Sequence, residues 1–151
     1  MGSPLAPTLA NLFLAKLEQT WMSESFSPLF YSRYVDDCMC VFDDRTNISK
    51  FHDFLNKQHP NLKFTTEIGN CKLPFLDVMI DTENSLQTSI YRRNTHTGLL
   101  LNYNSICPKQ WKDGLMNGML HRAYTVSSSW HTFHSEVKNI IDIFQKLVIL
   151  S

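Results

Sequence analysis

Long uninterrupted apolar segments are absent from this chain of 151 residues. Its most apolar stretch, residues 140–150, is broken by Asp142, Gln145 and Lys146, whereas a membrane-spanning helix needs about 20 apolar residues. No secretory signal precedes the first predicted helix, because the opening residues form a proline-rich loop. We therefore expect an intracellular protein, nuclear or cytoplasmic, that makes no contact with membranes.

Paired metal-binding cysteines are also missing, because none of the four cysteines belongs to a CxxC motif. This spacing favours reduced thiols over a zinc site. Internal repeats and low-complexity linkers are absent as well. With 43% hydrophobic residues, the chain has enough apolar surface for the core of a globular protein.

A net charge is lacking too, since 14 basic side chains balance 14 acidic ones. The charges are nevertheless unevenly distributed: residues 31–85 carry nine acids and six bases, and residues 86–131 carry five bases and one acid. An acidic metal-binding half followed by a basic half that contacts phosphates explains this asymmetry. A randomly uneven solvated surface is the alternative.

The most informative segment is residues 34–37, with the sequence Tyr-Val-Asp-Asp. Aromatic and β-branched residues precede it and an apolar run follows it, which predicts a β-hairpin over residues 30–42. Its tip would present the adjacent carboxylates of Asp36 and Asp37. Carboxylates are ligands of Mg²⁺, or of Mn²⁺ in its place, together with water and substrate phosphates. A plain polar turn is the alternative, because Asp is common in turns.

Hydrophobic periodicity indicates helices and strands along the rest of the chain, which gives an α+β fold. The predicted helices begin and end at about residues 8–22, 48–58, 109–124 and 132–150. The predicted strands, in addition to the hairpin, are residues 62–68, 75–80 and 89–91.

Several motifs match reverse transcriptases in their order along the chain. A Gly-Ser-Pro loop enters the first helix, as in the B motif of these enzymes, and the Tyr-Val-Asp-Asp hairpin resembles their C motif. The chain most closely resembles the reverse transcriptases of Penelope-like retroelements, relatives of telomerase. That resemblance rests on further segments in register: residues 61–67, 73–78, 91–95, 104–108 and 122–123. Asn94 and Cys107 depart from the pattern, which usually has Pro and His there.

The resemblance implies a particular domain organisation. Residues 1–100 would form the C-terminal part of a palm, an antiparallel sheet with packed helices. Residues 101–151 would form part of a helical thumb. The oligomeric state is left open.

Catalytic roles also follow from the resemblance. Asp36 would be the direct ligand of both metal ions, and Asp37, which points away from it by strand alternation, would have a secondary role. The partners would be an RNA template, a DNA primer and deoxynucleoside triphosphates. The residues expected to contact template, nucleotide or primer terminus are Gly2, Ser3, Pro4, Tyr34 and Val35.

Two further groups of residues are expected to contact nucleic acid. The resemblance implies a primer grip formed by Leu73, Pro74, Phe75 and Leu76. Contacts with the nucleic-acid backbone are expected from basic side chains at Lys63, Arg92, Arg93, Lys109, Lys112 and Arg122. An ordinary core strand is the alternative for Phe75 and Leu76, and a solvated side chain is the alternative for Lys63.

The expected reaction is nucleotidyl transfer to a primer 3′-hydroxyl by an RNA-directed DNA polymerase with two metal ions. Such an enzyme needs a further metal-binding Asp on an upstream strand and a fingers region. Neither is present in these residues, so we expect the chain alone to be inactive. One alternative is a catalytically dead nucleic-acid-binding remnant. Another is an unrelated phosphoryl-transfer protein, or an α+β domain with a chance Tyr-Val-Asp-Asp sequence.

Overall fold

The computed structural model describes residues 4–95, 100–101 and 105–149, without the side chains of residues 146–149. Within these residues the chain forms four helices and two small antiparallel sheets. The predicted mixture of helices and antiparallel strands is therefore confirmed. The chain divides into two compact units, residues 1–67 and 68–151. The functional division predicted near residue 100 thus falls inside the second unit.

The first unit contains a helix, a hairpin and a second helix. Its elements are α1 (Ala6–Trp21), β1 (Phe30–Tyr34), β2 (Asp37–Val41) and α2 (Arg45–Gln58). Strands β1 and β2 are antiparallel, with Tyr34 opposite Asp37 and Phe30 opposite Val41. The hairpin predicted over residues 30–42 is confirmed.

Both helices of the first unit begin earlier than predicted. Helix α1 starts at Ala6, so Thr8, where the helix was predicted to begin, lies inside it. Pro7 is accommodated in the first turn, where helical N–H groups have no partner within the helix. Helix α2 starts at Arg45 because Asp44 caps it, accepting a hydrogen bond from the backbone N–H of Thr46 at 2.9 Å.

Aromatic and aliphatic side chains from both helices form the core of the first unit. Trp21, Phe51 and Leu55 are buried. Phe64 packs edge-on against Trp21, with ring centroids 5.8 Å apart. Burial of side chains of this size is worth about 1.5–3 kcal/mol each, so this cluster holds α1, α2 and the segment that follows α2 together.

Residues 62–68, predicted as a strand, have no strand partner. Side chains of α2 take its place: the N–H of Phe64 donates to Oδ1 of Asn56 at 2.8 Å, and the carbonyl of Phe64 accepts from Nδ2 of Asn56 at 3.2 Å. His52 Nε2 lies 2.9 Å from the same carbonyl. Phe64 therefore packs against Trp21 and the core, and its backbone is bonded to α2 rather than paired in a sheet.

The second unit begins with a three-stranded antiparallel meander. Its strands are β3 (Lys72–Phe75), β4 (Val78–Asp81) and β5 (Gln87–Ile90). The single strand predicted for residues 75–80 is wrong, because Phe75 pairs with Val78 across a two-residue loop. Leu76 in that loop has φ 56°. Strands β4 and β5 are antiparallel neighbours, with Val78 opposite Ile90.

Two helices complete the second unit, α3 (Lys109–Val126) and α4 (Trp130–Ile149). The turn between them is fastened to β5, where Ser128 N–H donates to the carbonyl of Thr88 at 3.1 Å and Thr88 N–H donates to Oγ of Ser128 at 2.9 Å. Ser129 caps α4 by accepting a hydrogen bond from the N–H of Thr132 at 3.2 Å. None of the described helices is long and apolar enough to cross a membrane.

Ion pairs join α3 to the β3–β4 loop and α4 to the residues that follow β5. The guanidinium of Arg92, just after β5, donates to both carboxylate oxygens of Glu136 on α4. Glu136 is only 6% exposed. Arg122 on α3 pairs with Asp77 in the β3–β4 loop. One ion pair therefore fixes α4 and the other fixes α3 against the part of the chain that forms the sheet.

Candidate metal-binding hairpin and helix-turn-helix unit

The tip of the β1–β2 hairpin is a two-residue loop of Val35 and Asp36, closed by the pair Tyr34 and Asp37. Val35 has φ 57°, a region that β-branched residues rarely adopt. Tight hairpin loops need a positive φ at this position and usually place Gly there. The conformation of Val35 costs about 1–3 kcal/mol and requires support from its surroundings, a combination that is common at functional sites.

Arg33 on β1 provides that support by linking the tip to α1. Nη1 of Arg33 donates to the carbonyl of Val35 and to Oδ1 of Asn11, both at 3.1 Å. Its Nε donates to Oε1 of Glu18, which also accepts a hydrogen bond from Tyr31 Oη at 2.9 Å. The hydrogen bond to Glu18 raises the pKa of Arg33. Arg33 therefore ties the strained tip to α1 and keeps its charge.

Next to the ion pair of Arg33 and Glu18, the inner face of the hairpin carries uncharged side chains. Tyr31 Oη lies 3.4 Å from Sγ of Cys38. Burial raises the pKa of Tyr31 and of Cys38, and raises that of Cys40 to about 11. These groups are neutral at physiological pH, so the negative charge of the hairpin is confined to its tip.

Asp36 and Asp37 are both exposed at that tip. Within the described residues, neither carboxylate has a hydrogen bond or an ion-pair partner. In the β3–β4 hairpin, Asp77 occupies the loop position that corresponds to Asp36. The carboxylate of Asp77 is paired with Arg122. The same local geometry thus carries a neutralised carboxylate in one hairpin and two unneutralised ones in the other.

The donors at this tip fit magnesium in type but not in number. Carboxylate oxygens are the ligands that Mg²⁺ prefers in proteins. However, no group of three or more His, Cys, Asp or Glu side chains able to hold a metal ion is found among the described residues. The two carboxylates of the hairpin are too few to complete a coordination shell by themselves.

The outer face of the hairpin is open and partly apolar. Tyr34 is 62% exposed and Val35 is 65% exposed, so both side chains predicted to lie under a primer terminus are accessible. Phe30 continues the same face at 52% exposure. Pro4 is exposed as well, whereas the predicted contacts Gly2 and Ser3 lie outside the described residues.

The residues of the predicted primer grip lie together in the second unit. Leu73, Pro74 and Phe75 belong to β3, and Leu76 begins the loop to β4. All four side chains are half-buried. These residues therefore lie in the first half of the β3–β4 hairpin, and their role as a primer grip stays a prediction.

The predicted phosphate-contacting residues differ in how far their charges are compensated. Arg92 and Arg122 are in ion pairs, and together with Arg93 they line a cavity of about 520 Å³ that also contains both carboxylate partners. Lys63 is exposed and donates to the carbonyl of Asn56 at 3.4 Å.

Of the remaining bases, two are exposed and have no polar partner in the described part of the chain: Arg93 and Lys109. Lys112 is half-buried. Arg93 and Lys109 are therefore the predicted contacts whose charges are most available to a phosphate.

Sequence reasoning missed the residues that hold the hairpin tip, above all Arg33 and Glu18. Arg33 precedes the Tyr-Val-Asp-Asp sequence directly, and a charged residue facing inwards on a short strand was the available signal. Its partner lies 15 positions earlier, and no local pattern connects the two.

Comparison with known families identifies one match, to the animal helix-turn-helix domain, over residues 99–147. The match covers about a third of the chain and includes α3 and most of α4. The short connection between these helices, residues 127–129, is typical of helix-turn-helix units. No curated protein and no solved structure matches the chain.

Proposed function

We propose that this chain is part of an RNA-directed DNA polymerase of a retroelement, in which the β1–β2 hairpin supplies carboxylate ligands for catalytic Mg²⁺. Asp36 is the direct ligand of the metal ions. Asp37 has a secondary role, either orienting the site or binding a metal ion through a water molecule. The observation that carries the proposal is the pair of adjacent exposed carboxylates, without a partner in the described residues, at the tip of a strained and braced hairpin.

Electrostatics favours a cation at this tip. Two adjacent carboxylates repel each other, and the charge of Arg33 is already engaged by Glu18. A divalent ion relieves the repulsion at little structural cost because the tip is already fixed. The β3–β4 hairpin needs no such ion, since Arg122 neutralises its single loop carboxylate.

The other residues of the hairpin act by position. Arg33 and Glu18 hold the tip, so that Asp36 meets a metal ion without first losing conformational freedom. Tyr34 and Val35 offer an exposed surface beside the carboxylates for the end of a primer. The resemblance assigns the further carboxylate that two-metal transfer needs to a strand other than β1 and β2.

Primer extension on an RNA template tests this proposal, with the full polypeptide that the transcript encodes. We expect Asp36→Asn to lower the rate of nucleotide incorporation about a hundredfold or more, because a metal ligand contributes several kcal/mol to the transition state. Asp43→Asn is the matched control: Asp43 is also exposed, but it lies after β2 at the opposite end of the hairpin. Equal rates for the two variants would contradict the role of Asp36.

A nucleic-acid-binding protein without synthesis is the second candidate, and the helix-turn-helix match favours it. Phosphate contacts by exposed bases such as Arg93 and Lys109 give binding that weakens steeply with salt. Salt-dependent DNA binding by the full polypeptide, together with incorporation that is undetectable and unaffected by Asp36→Asn, would support this candidate over the polymerase.

A further inference from the structure

Four rings from α3 and α4 form a continuous aromatic cluster where the two helices meet: Tyr124, Trp130, Phe133 and His134. Phe133 is its centre, with ring centroids 6.1 Å from Tyr124, 5.2 Å from Trp130 and 5.7 Å from His134. Trp130 and His134 are also in edge contact at 5.2 Å. The cluster is therefore one surface rather than scattered side chains.

This aromatic cluster is exposed to an extent that core packing does not explain. Trp130 and Tyr124 are each 68% exposed, whereas Trp21 in the first unit is 1% exposed. Only Phe133 is half-buried beneath them. Tyr124 and Trp130 are thus exposed to solvent while they pack against Phe133, and their ring faces are accessible to a ligand.

The rings are held in place by the turn beneath them. Ser129 caps α4 immediately before Trp130, and Ser128 is fastened to Thr88 of β5. Nδ1 of His134 also lies 3.1 Å from the carbonyl of Trp130. A ligand that stacks on such a surface causes little loss of side-chain entropy.

Acidic charge is remote or compensated around the aromatic cluster. On the two helices, Asp113 is 11 residues from Tyr124 and Asp142 is 12 residues from Trp130, distances of about 17 and 18 Å along a helix. Glu136 is buried against Arg92, and Asp77 is paired with Arg122. An anionic ligand that reaches these rings therefore meets no unpaired carboxylate on either helix near them.

We propose that the aromatic cluster is a stacking site for unpaired bases of a single-stranded nucleic acid. The inference rests on the proposed function in one respect, that nucleic acid is the ligand of this protein. Every base offers a flat face to an aromatic ring, and stacking of this kind tolerates any sequence. A duplex hides those faces within its own stack, so the site selects single strands.

Binding of a fluorescently labelled oligothymidylate to the full chain tests this site, with an abasic oligomer of equal length as the second probe. We expect Trp130→Ala and Tyr124→Ala each to weaken oligothymidylate binding between about fivefold and 150-fold, the range for loss of one stacked base. The abasic oligomer, which keeps the phosphates and lacks the bases, should bind the wild type more weakly and respond to neither change.

Trp111→Ala is the matched control. Trp111 is 67% exposed, close to the value for Trp130, but it lies in the first turn of α3 at the opposite end of that helix. Its replacement should leave oligothymidylate binding unchanged. Trp130→Phe and Tyr124→Phe retain a ring and should restore most of the affinity, which separates loss of stacking from loss of folding.

Three results would overturn the inference: equal affinity for the abasic oligomer and oligothymidylate, an equal loss on Trp111→Ala, or tighter binding of a duplex that depends on Trp130. The last result would assign the surface to duplex recognition. Because no synthesis is measured, a failed polymerase proposal leaves this binding test valid. Stacking and nucleotide incorporation are therefore judged separately.

Discussion

Replacement of Arg92 by Met should strongly destabilise the second unit. The change removes the cation that faces Glu136, whose side chain is 7% exposed, and leaves a carboxylate buried without a partner. Breaking a buried pair in this way costs about 3–5 kcal/mol. We expect about 3 kcal/mol, the lower end, because the side chain of Arg92 is 28% exposed and water moderates the interaction.

Urea unfolding of the full chain measures this loss. A fall of about 3 kcal/mol is a large share of the stability of a typical domain, about 5–15 kcal/mol, so the midpoint should move clearly to lower urea. The double variant Arg92→Met with Glu136→Leu should recover most of the loss, since two apolar side chains replace both charges. Lys72→Met is the control, because Lys72 pairs with Asp81 and Glu83 on the exposed surface.

Two results would refute this reasoning. A loss below about 1 kcal/mol for Arg92→Met would mean that water reaches Glu136 without rearrangement. A double variant as unstable as the single one would mean that Arg92 stabilises the unit by packing rather than by neutralising Glu136.

Three further perturbations test the hairpin of the first unit. Val35→Gly should raise the unfolding free energy by about 1 kcal/mol, because relief of backbone strain exceeds the entropy cost of Gly; a loss measured in urea would contradict the strain. Arg33→Met should lower nucleotide incorporation by the full polypeptide while primer affinity is unchanged, and equal losses in both would assign Arg33 to binding instead. Since the pKa of Cys40 is raised to about 11, its neutral thiol stabilises the fold below about pH 8.5, and this contribution should be lost as the pH rises to 11. Unfolding curves measured at several pH values in that range check whether the unfolding free energy falls. In Cys40→Ala, this fall in unfolding free energy should be smaller.

The hairpin of the first unit could be predicted because its signals are local. Aromatic and β-branched residues flank two polar ones, and the resulting pairing of Tyr34 with Asp37 follows from the length of the loop. The helices were predicted for the same reason, since apolar residues recur along one face of each. Their first turns were less predictable, because the cap of α2 at Asp44 lies before the apolar pattern begins.

The two failed strand predictions have different causes. Asn56 satisfies the backbone of Phe64 in place of a neighbouring strand. In the second unit, Leu76 adopts a positive φ that its own preference disfavours. In the loop of Leu76 and Asp77, Asp77 is the one residue typical of turns. Periodicity detects neither effect, because one is a bond from a side chain to the backbone and the other is a single backbone angle.

The candidate sites divide in the same way. Adjacent carboxylates at a predicted tip are visible in the sequence, as Asp36 and Asp37 were. The bracing of that tip by Glu18 is not, since it depends on α1 packing beside β1. The aromatic cluster joins Tyr124 on one helix to Trp130 on the next, and only the turn between them brings these rings together.

Metal rescue of an Asp36→Cys variant tests the central claim most directly, in primer extension by the full polypeptide. A thiolate is a poor ligand for Mg²⁺ and a good one for softer ions. If Asp36 binds the catalytic metal, the variant should be inactive with Mg²⁺ and should regain incorporation when Cd²⁺ or Mn²⁺ is added, whereas Asp43→Cys should remain active with Mg²⁺. Full activity of Asp36→Cys with Mg²⁺ alone would contradict the claim that this carboxylate holds the metal.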